Sequence, residues 1–136
     1  MPETVLDASA LLAYLQNETG AEVVTNAIAE GTTISTVNLS EVLTRVADRG
    51  GDPSDMMARM TERGLIDGAV KVEAFTSEDA LNAASLRTRT REQGLSLGDR
   101  ACIALAQRLE LPALTADSAW AQLDVDVELR QIRRAP

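Results

Sequence analysis

Pro112-Ala113-Leu114-Thr115-Ala116-Asp117-Ser118 follows a segment, Arg100 to Leu109, that is apolar at nearly every position apart from Gln107 and Arg108. That segment reads as the most buried helix of the chain. Pro112 stands just past its end, Ala113-Leu114-Thr115 reads as a short strand, and a short helix is expected from Ser118 to Leu123. An acid, Asp117, stands where strand hands over to helix. A buried helix feeding a short apolar strand is the unit of a parallel sheet, whose strands need long crossovers.

The same handover recurs upstream. Thr4-Val5-Leu6 is a strand that stops at Asp7, and Ser9 to Leu15 has helical spacing through Leu11, Leu12 and Leu15. Ala21 to Glu30 is a second helix, with Gly31 as its stop. Thr32 to Val37 is β-branched and reads as a strand, after which Asn38 is expected to cap a helix carrying Glu41, Val42, Leu43 and Val46 and ending at Gly50-Gly51. Pro53 opens a helix that bears Met56, Met57 and Met60, a row that suits a core or a dimer face better than a ligand box. Val70 to Glu73 alternates like a strand, and Thr76 or Ser77 caps a helix from Glu78 to Arg91. Gly94 to Gly98 is expected to be loop, Val125 to Leu129 a last strand, and Arg133, Arg134 and Pro136 a frayed tail. This alternation predicts one α/β domain over residues 1–136: a three-layer α/β/α sandwich around a mostly parallel five-stranded sheet.

Composition removes several functions. There is no histidine, which excludes imidazole catalysis and histidine-ligated metals. Cys102, the single cysteine, lies in an apolar helix and reads as a buried thiol, so neither an internal disulfide nor a thiolate cluster can form. An aromatic content of 2% argues against a base-stacking platform, and a net charge of −8 against a passive nucleic-acid coat. Residues 1–20 lack a basic leader region, and no apolar run approaches membrane-spanning length, so a cytoplasmic protein without membrane association is expected.

Asp7, Glu41, Asp99 and Asp117 thus all stand at strand or loop to helix handovers. Each has a structural alternative. Asn38-x-x-Glu41 and Ser96-x-x-Asp99 resemble capping boxes, and Asp7 and Asp117 suit N-caps. Together they suggest more, because ligands of open α/β sheets bind beyond the carboxyl ends of the strands. Two unit charges about 4 Å apart repel by roughly 4 kcal/mol at an effective dielectric of about 20. Carboxylates gathered there call for a cation, and oxygen ligands without His or Cys select Mg²⁺, with Mn²⁺ as substitute. Such a centre suits phosphodiester hydrolysis by a metal-activated water. Ser9 and Thr115, each two residues from an acid, read as orienters of acids or of metal-bound water, or as ordinary turn hydroxyls.

The four segments Val5-Leu6-Asp7-Ala8-Ser9-Ala10-Leu11-Leu12, Asn38-Leu39-Ser40-Glu41-Val42, Leu97-Gly98-Asp99-Arg100-Ala101-Cys102-Ile103-Ala104-Leu105-Ala106 and Leu114-Thr115-Ala116-Asp117-Ser118-Ala119-Trp120 resemble, in order and spacing, those of the PIN-domain family. They look most like its VapC-like members, the toxins of type II toxin–antitoxin pairs. The resemblance implies a Mg²⁺- or Mn²⁺-dependent endoribonuclease, usually a homodimer, that cuts an RNA substrate and is held inactive by a cognate antitoxin protein. It assigns Asp7, Glu41, Asp99 and Asp117 as catalytic metal ligands and sets the first and fourth strands side by side. Many relatives carry a basic residue directly after the fourth acid; here Ser118 takes that place.

Arginine supplies 12 of the 13 basic residues. Arg100, beside Asp99, is the candidate phosphate contact; Arg87, Arg89 and Arg91 are candidates for the RNA backbone, and Glu41–Arg45 and Asp55–Arg59 for helix-face pairs. Trp120 is expected to pack over the edge of the site. Other functions compatible with strand-end acids are a housekeeping RNA-processing nuclease of the same fold, a phosphoacceptor domain, a dehalogenase-like phosphatase and a non-catalytic binding module. The phosphoacceptor lacks a suitably placed lysine, since Lys71 sits mid-strand, and the phosphatase lacks a second Asp at position 9. Retention of all four acids speaks against the binding module.

Overall fold

The computed structural model describes residues 3–133. Five parallel strands form one sheet: β1 (Thr4–Leu6), β2 (Thr32–Ser35), β3 (Val70–Glu73), β4 (Ala113–Thr115) and β5 (Leu129–Gln131), in the order β3-β2-β1-β4-β5. Strand β1 is central. It pairs with β2 through Leu6↔Ile34 and with β4 through Leu6↔Leu114. The chain therefore leaves β1 toward one edge and returns on its other side, which makes the β1–β4 boundary the point where strand order reverses.

Six α-helices flank the sheet: α1 (Ala8–Leu15), α2 (Ala21–Glu30), α3 (Thr36–Asp48), α4 (Pro53–Glu62), α5 (Ser77–Arg89) and α6 (Leu97–Leu109). The period-two geometry of β1 divides the core, because successive side chains face opposite sides. Leu6 joins Leu11, Val24, Ile34, Val42 and Met60 under α1 to α4. Val5 joins Leu86, Ile103, Leu105, Ala113 and Trp120 under α5 and α6. The expected three-layer α/β/α sandwich is present, and its sheet is parallel throughout.

Local chemistry explains the helix limits. Asp7 accepts from the Ala10 amide at 2.8 Å and starts α1. Pro53 occupies the first turn of α4, where no amide proton is needed. Gly31 ends α2 with φ +114°, a conformation that side chains disfavour. Every residue of α6 from Ala101 to Ala106 is fully buried, as its apolar run required. Met60 is buried and Met56 and Met57 pack against the same cluster, so the methionine row serves the core.

Several expectations need correction. The strand expected to reach Val37 ends at Ser35, and Ser35 rather than Asn38 caps α3 by accepting from the Val37 amide at 3.2 Å. A good cap outweighs the modest strand preference of Thr36 and Val37. Helix α5 stops at Arg89 and continues as a 3-10 turn, Arg91–Gln93. Helix α6 begins at Leu97, inside the segment read as loop, because Ser96 caps it. The last strand is Leu129–Gln131, in register with Ala113–Thr115, whereas Val125 and Val127 pack on the core from a loop. Arg133 is tied down, its Nε donating to the Thr19 carbonyl at 2.9 Å; Arg134 and Pro136 lie outside the described residues. No helix among the described residues is long and apolar enough to cross a membrane.

Candidate active site

The ends of β1 and β4 meet at Asp7, which is 4% exposed. Its Oδ1 accepts from the Ala10 amide (2.8 Å) and from Ser9 Oγ (2.7 Å). Its Oδ2 accepts from Thr115 Oγ1 at 2.5 Å. Each hydroxyl also accepts from the backbone. The Ala116 amide donates to Ser9 Oγ at 2.9 Å and the Asp117 amide donates to Thr115 Oγ1 at 3.0 Å. An ionised carboxylate can only accept, so each hydroxyl turns its one proton to Asp7 while one of its lone pairs takes the backbone N–H. Ser9 and Thr115 thus both donate to one acid. Burial pushes the Asp7 carboxyl up to about 6, against hydrogen bonds from Thr115, Ala10 and Ser9 that hold it down; the charge on Asp99 adds to the rise.

The other three acids reach the same place from three elements. Asp99 stands in the first turn of α6, where the capping box is real: its amide donates to Ser96 Oγ and its Oδ2 accepts from the Ser96 amide, each at 3.1 Å. Glu41 lies in the second turn of α3 and its Oε1 accepts from Asn38 Nδ2 at 2.8 Å, a bond between side chains within the helix rather than a cap. Desolvation raises the Glu41 pKa, the Asn38 hydrogen bond lowers it, and the charge on Asp99 raises it, with a net rise. Asp117 is exposed and caps the 3-10 helix Ser118–Gln122 by accepting from the Ala119 amide at 2.9 Å.

Asp7, Glu41, Asp99 and Asp117 line one pocket of about 190 Å³, together with Ser9, Leu12, Asn38 and Arg45. Among the described residues no three carboxylates stand close enough to cage an ion by themselves. The donor set nevertheless fits a hard, hydrated cation, because Mg²⁺ keeps several waters and takes one or two carboxylates directly. Capping also leaves oxygens free. Glu41 Oε2, Asp99 Oδ1 and Asp117 Oδ2 have no hydrogen bond among the described residues. Capping and uncommitted carboxylate oxygens therefore coexist in the same side chains.

The arginines are distributed otherwise than expected. Arg100 turns from the pocket: its Nη1 donates to the Ala83 carbonyl of α5 at 2.9 Å. The half-buried Arg100 guanidinium thus lies between α5 and α6 and does not line the pocket. Arg45 is the basic residue that lines the pocket, exposed on α3 one turn beyond Glu41 and without an ion pair among the described residues. Its signal was the i,i+4 spacing from Glu41, which reads equally well as a helix-face pair. Asp55–Arg59 does form such a pair, at 3.5 Å. Arg89 is held by Asp126 at 3.3 Å beside a larger cavity of about 660 Å³. That cavity is lined by Glu110, Pro112 and Glu128, which precede β4 and β5, and so opens at the opposite end of the sheet from the acids.

Asn38, expected to cap α3, is instead a buried partner of Glu41. Trp120 is fully buried in the second core cluster and not at the rim of the site. Cys102 lies beneath the site, fully buried, and burial together with Asp7, Asp99 and Glu41 pushes its thiol well above the usual range. It is inert.

Solved structures share this architecture. FitAcB from Neisseria gonorrhoeae superposes with a TM-score of 0.71 at 18% identity, covering 95% of this chain and 97% of that one. DNA-bound VapBC from Salmonella typhimurium gives 0.71 at 14% identity, covering 97% and 99%. VapC20 from Mycobacterium tuberculosis, a Sarcin-Ricin loop cleaving toxin, gives 0.68 at 20% identity, covering 93% and 99%. No curated protein sequence matches the chain significantly. The model of the PIN domain matches residues 4–126, nearly the whole sheet with all four acids, and the chain belongs to the PIN domain family.

Proposed function

We propose that this protein is a Mg²⁺- or Mn²⁺-dependent endoribonuclease acting as the toxin of a type II toxin–antitoxin pair in the cytoplasm. The observation that carries the reading is the pocket at the β1–β4 switch point, where acids from four separate elements meet around a carboxylate locked by Ser9 and Thr115. Membership of the PIN family and the likeness to VapC and FitAcB assemblies support a nuclease restrained by an antitoxin. The cation, when bound, activates a water and neutralises charge on the scissile phosphate.

The chain's own residues divide the remaining work. Asp7, Glu41, Asp99 and Asp117 would hold the cation. A carboxylate at the exposed mouth, such as Asp117, would take the proton of the attacking water as the new P–O bond forms, and solvent water would protonate the ribose oxygen that leaves as the old P–O bond breaks. Ser9 and Thr115 keep Asp7 oriented and ionised. Arg45 supplies the phosphate contact that Ser118 cannot. Residues 1–136 act as one domain, and the active form is a homodimer.

Incubation of the purified protein with total RNA tests the proposal. Cleavage is expected with Mg²⁺ or Mn²⁺ and not with EDTA, and expression without a partner should arrest growth. Asp7→Asn and Asp99→Asn should each lower cleavage by at least about 100-fold, since removal even of outer-sphere partners typically weakens metal sites 10–100-fold. Undiminished cleavage by both variants would sink the mechanism.

A further inference from the structure

Gly98 is the second residue of α6, and its φ lies outside the left-handed region, so its backbone does not call for glycine. What explains it is occupancy. A Cβ built at position 98 would overlap the Glu41 carboxylate, touching both oxygens and the carbon between them. The Glu41 head group therefore rests in the space that a side chain at 98 would fill.

Asn38 completes the arrangement. It is 1% exposed, and its Nδ2 donates both to Glu41 Oε1 (2.8 Å) and to the Gly98 carbonyl (2.9 Å). Both partners are acceptors, which settles which way the amide faces. Its Oδ1 is buried without a partner, an arrangement that ordinarily costs about 1–3 kcal/mol. Asn38 thus carries a stability penalty while bonding the carboxylate and the backbone against which that carboxylate lies.

We propose that Gly98 and Asn38 are positioning residues that form a seat for the Glu41 carboxylate, one by leaving space and the other by a hydrogen bond. Their influence on the reaction rests on the proposed metal chemistry of Glu41; the seat itself does not. The atoms displaced by a methyl at 98 belong to the far end of a flexible side chain, so the fold has no need to move. Gly98→Ala should swing Glu41 out of its place and leave the rest of the protein as it is.

The experiment compares Gly98→Ala, Glu41→Gln and the double variant with the wild-type protein. It reads metal-free melting temperature, Mn²⁺ affinity by calorimetry, RNA cleavage and the NMR resonance of the Asn38 side-chain amide. Gly98→Ala is expected to melt at the wild-type temperature or higher, to shift the Asn38 amide, and to lower Mn²⁺ affinity and cleavage toward the Glu41→Gln level. The double variant should lose no more than Glu41→Gln alone. An unmoved Asn38 amide, a lowered melting temperature or additive losses in the double variant would each overturn the seat. If Glu41→Gln cleaves and binds Mn²⁺ like wild type while Gly98→Ala moves the Asn38 amide, the seat stands and the metal role of Glu41 falls.

Discussion

Asp7 combines near-complete burial with charge, and that combination has a thermodynamic signature. Its carboxyl lies at about 6 in the folded protein against an ordinary 3.8. A carboxyl raised on folding binds more protons folded than unfolded, so the metal-free protein loses stability as pH rises through that window, by on the order of 3 kcal/mol in full. Urea denaturation of the metal-free protein at pH 4.5 and 7 should show this fall, and Asp7→Asn should flatten it. Thr115→Val removes the 2.5 Å hydrogen bond to Asp7 while keeping the side chain's shape. The expected outcome is a 10–100-fold loss of Mn²⁺ affinity by calorimetry, the usual scale for the partners of a ligand. Arg45→Ala should raise KM and leave the Mn²⁺ affinity unchanged, because a phosphate contact acts on substrate only.

At the level of elements, α5 and α6 are joined by Arg108, whose Nε donates to Asp79 Oδ1 at 2.8 Å and whose Nη2 donates to Asp79 Oδ2 at 3.1 Å. The Asp79 side chain is 1% exposed and also closes the capping box with Thr76. Burial alone would raise its pKa, yet bonds from Arg108 and Thr76 and the Arg108 charge bring it below the ordinary value. Stability from a depressed carboxylate is present above the unfolded pKa and lost as pH falls through the folded one. Arg108→Met should cost about 2–3 kcal/mol at pH 7, the scale of hydrogen bonds to a charged group, and much less in acid once Asp79 is protonated. Denaturation at both pH values checks this. The cores below are less tolerant: Leu105→Ala in the fully buried stretch of α6 should cost about 2–5 kcal/mol.

For the whole molecule, the net charge of −8 and an acidic pocket bear on how the proposed RNA substrate would be approached. A bound dication inverts the local sign, so RNA should associate measurably only with the metal present. With few basic side chains near the pocket, the dependence of RNA affinity on salt should be shallow, because the slope counts the phosphates neutralised. Fluorescence anisotropy with the unaltered protein and a cleavage-resistant 2′-O-methyl phosphorothioate RNA, across salt and with or without Mn²⁺, checks both expectations. A steep slope would indicate a basic surface contributed by a second copy or by another part of the assembly.

The alternation of short apolar strands with amphipathic and buried helices determined the α/β class, and the acids at the handovers into helices pointed to one shared pocket, because periodicity and polarity changes are local properties of the chain. The limits of β2, α3, α6 and β5 were not legible, since Ser35 and Ser96 caps and the register set by a three-residue β4 outweighed β-branching and alternation. Only the tertiary structure decided which arginine faces the pocket: Arg100 follows Asp99 directly, yet a helix turns consecutive residues about 100° apart, sending it toward α5. The roles of Asn38 and Gly98 likewise arise from α3 meeting α6, a contact spanning 60 positions of sequence that no local pattern encodes.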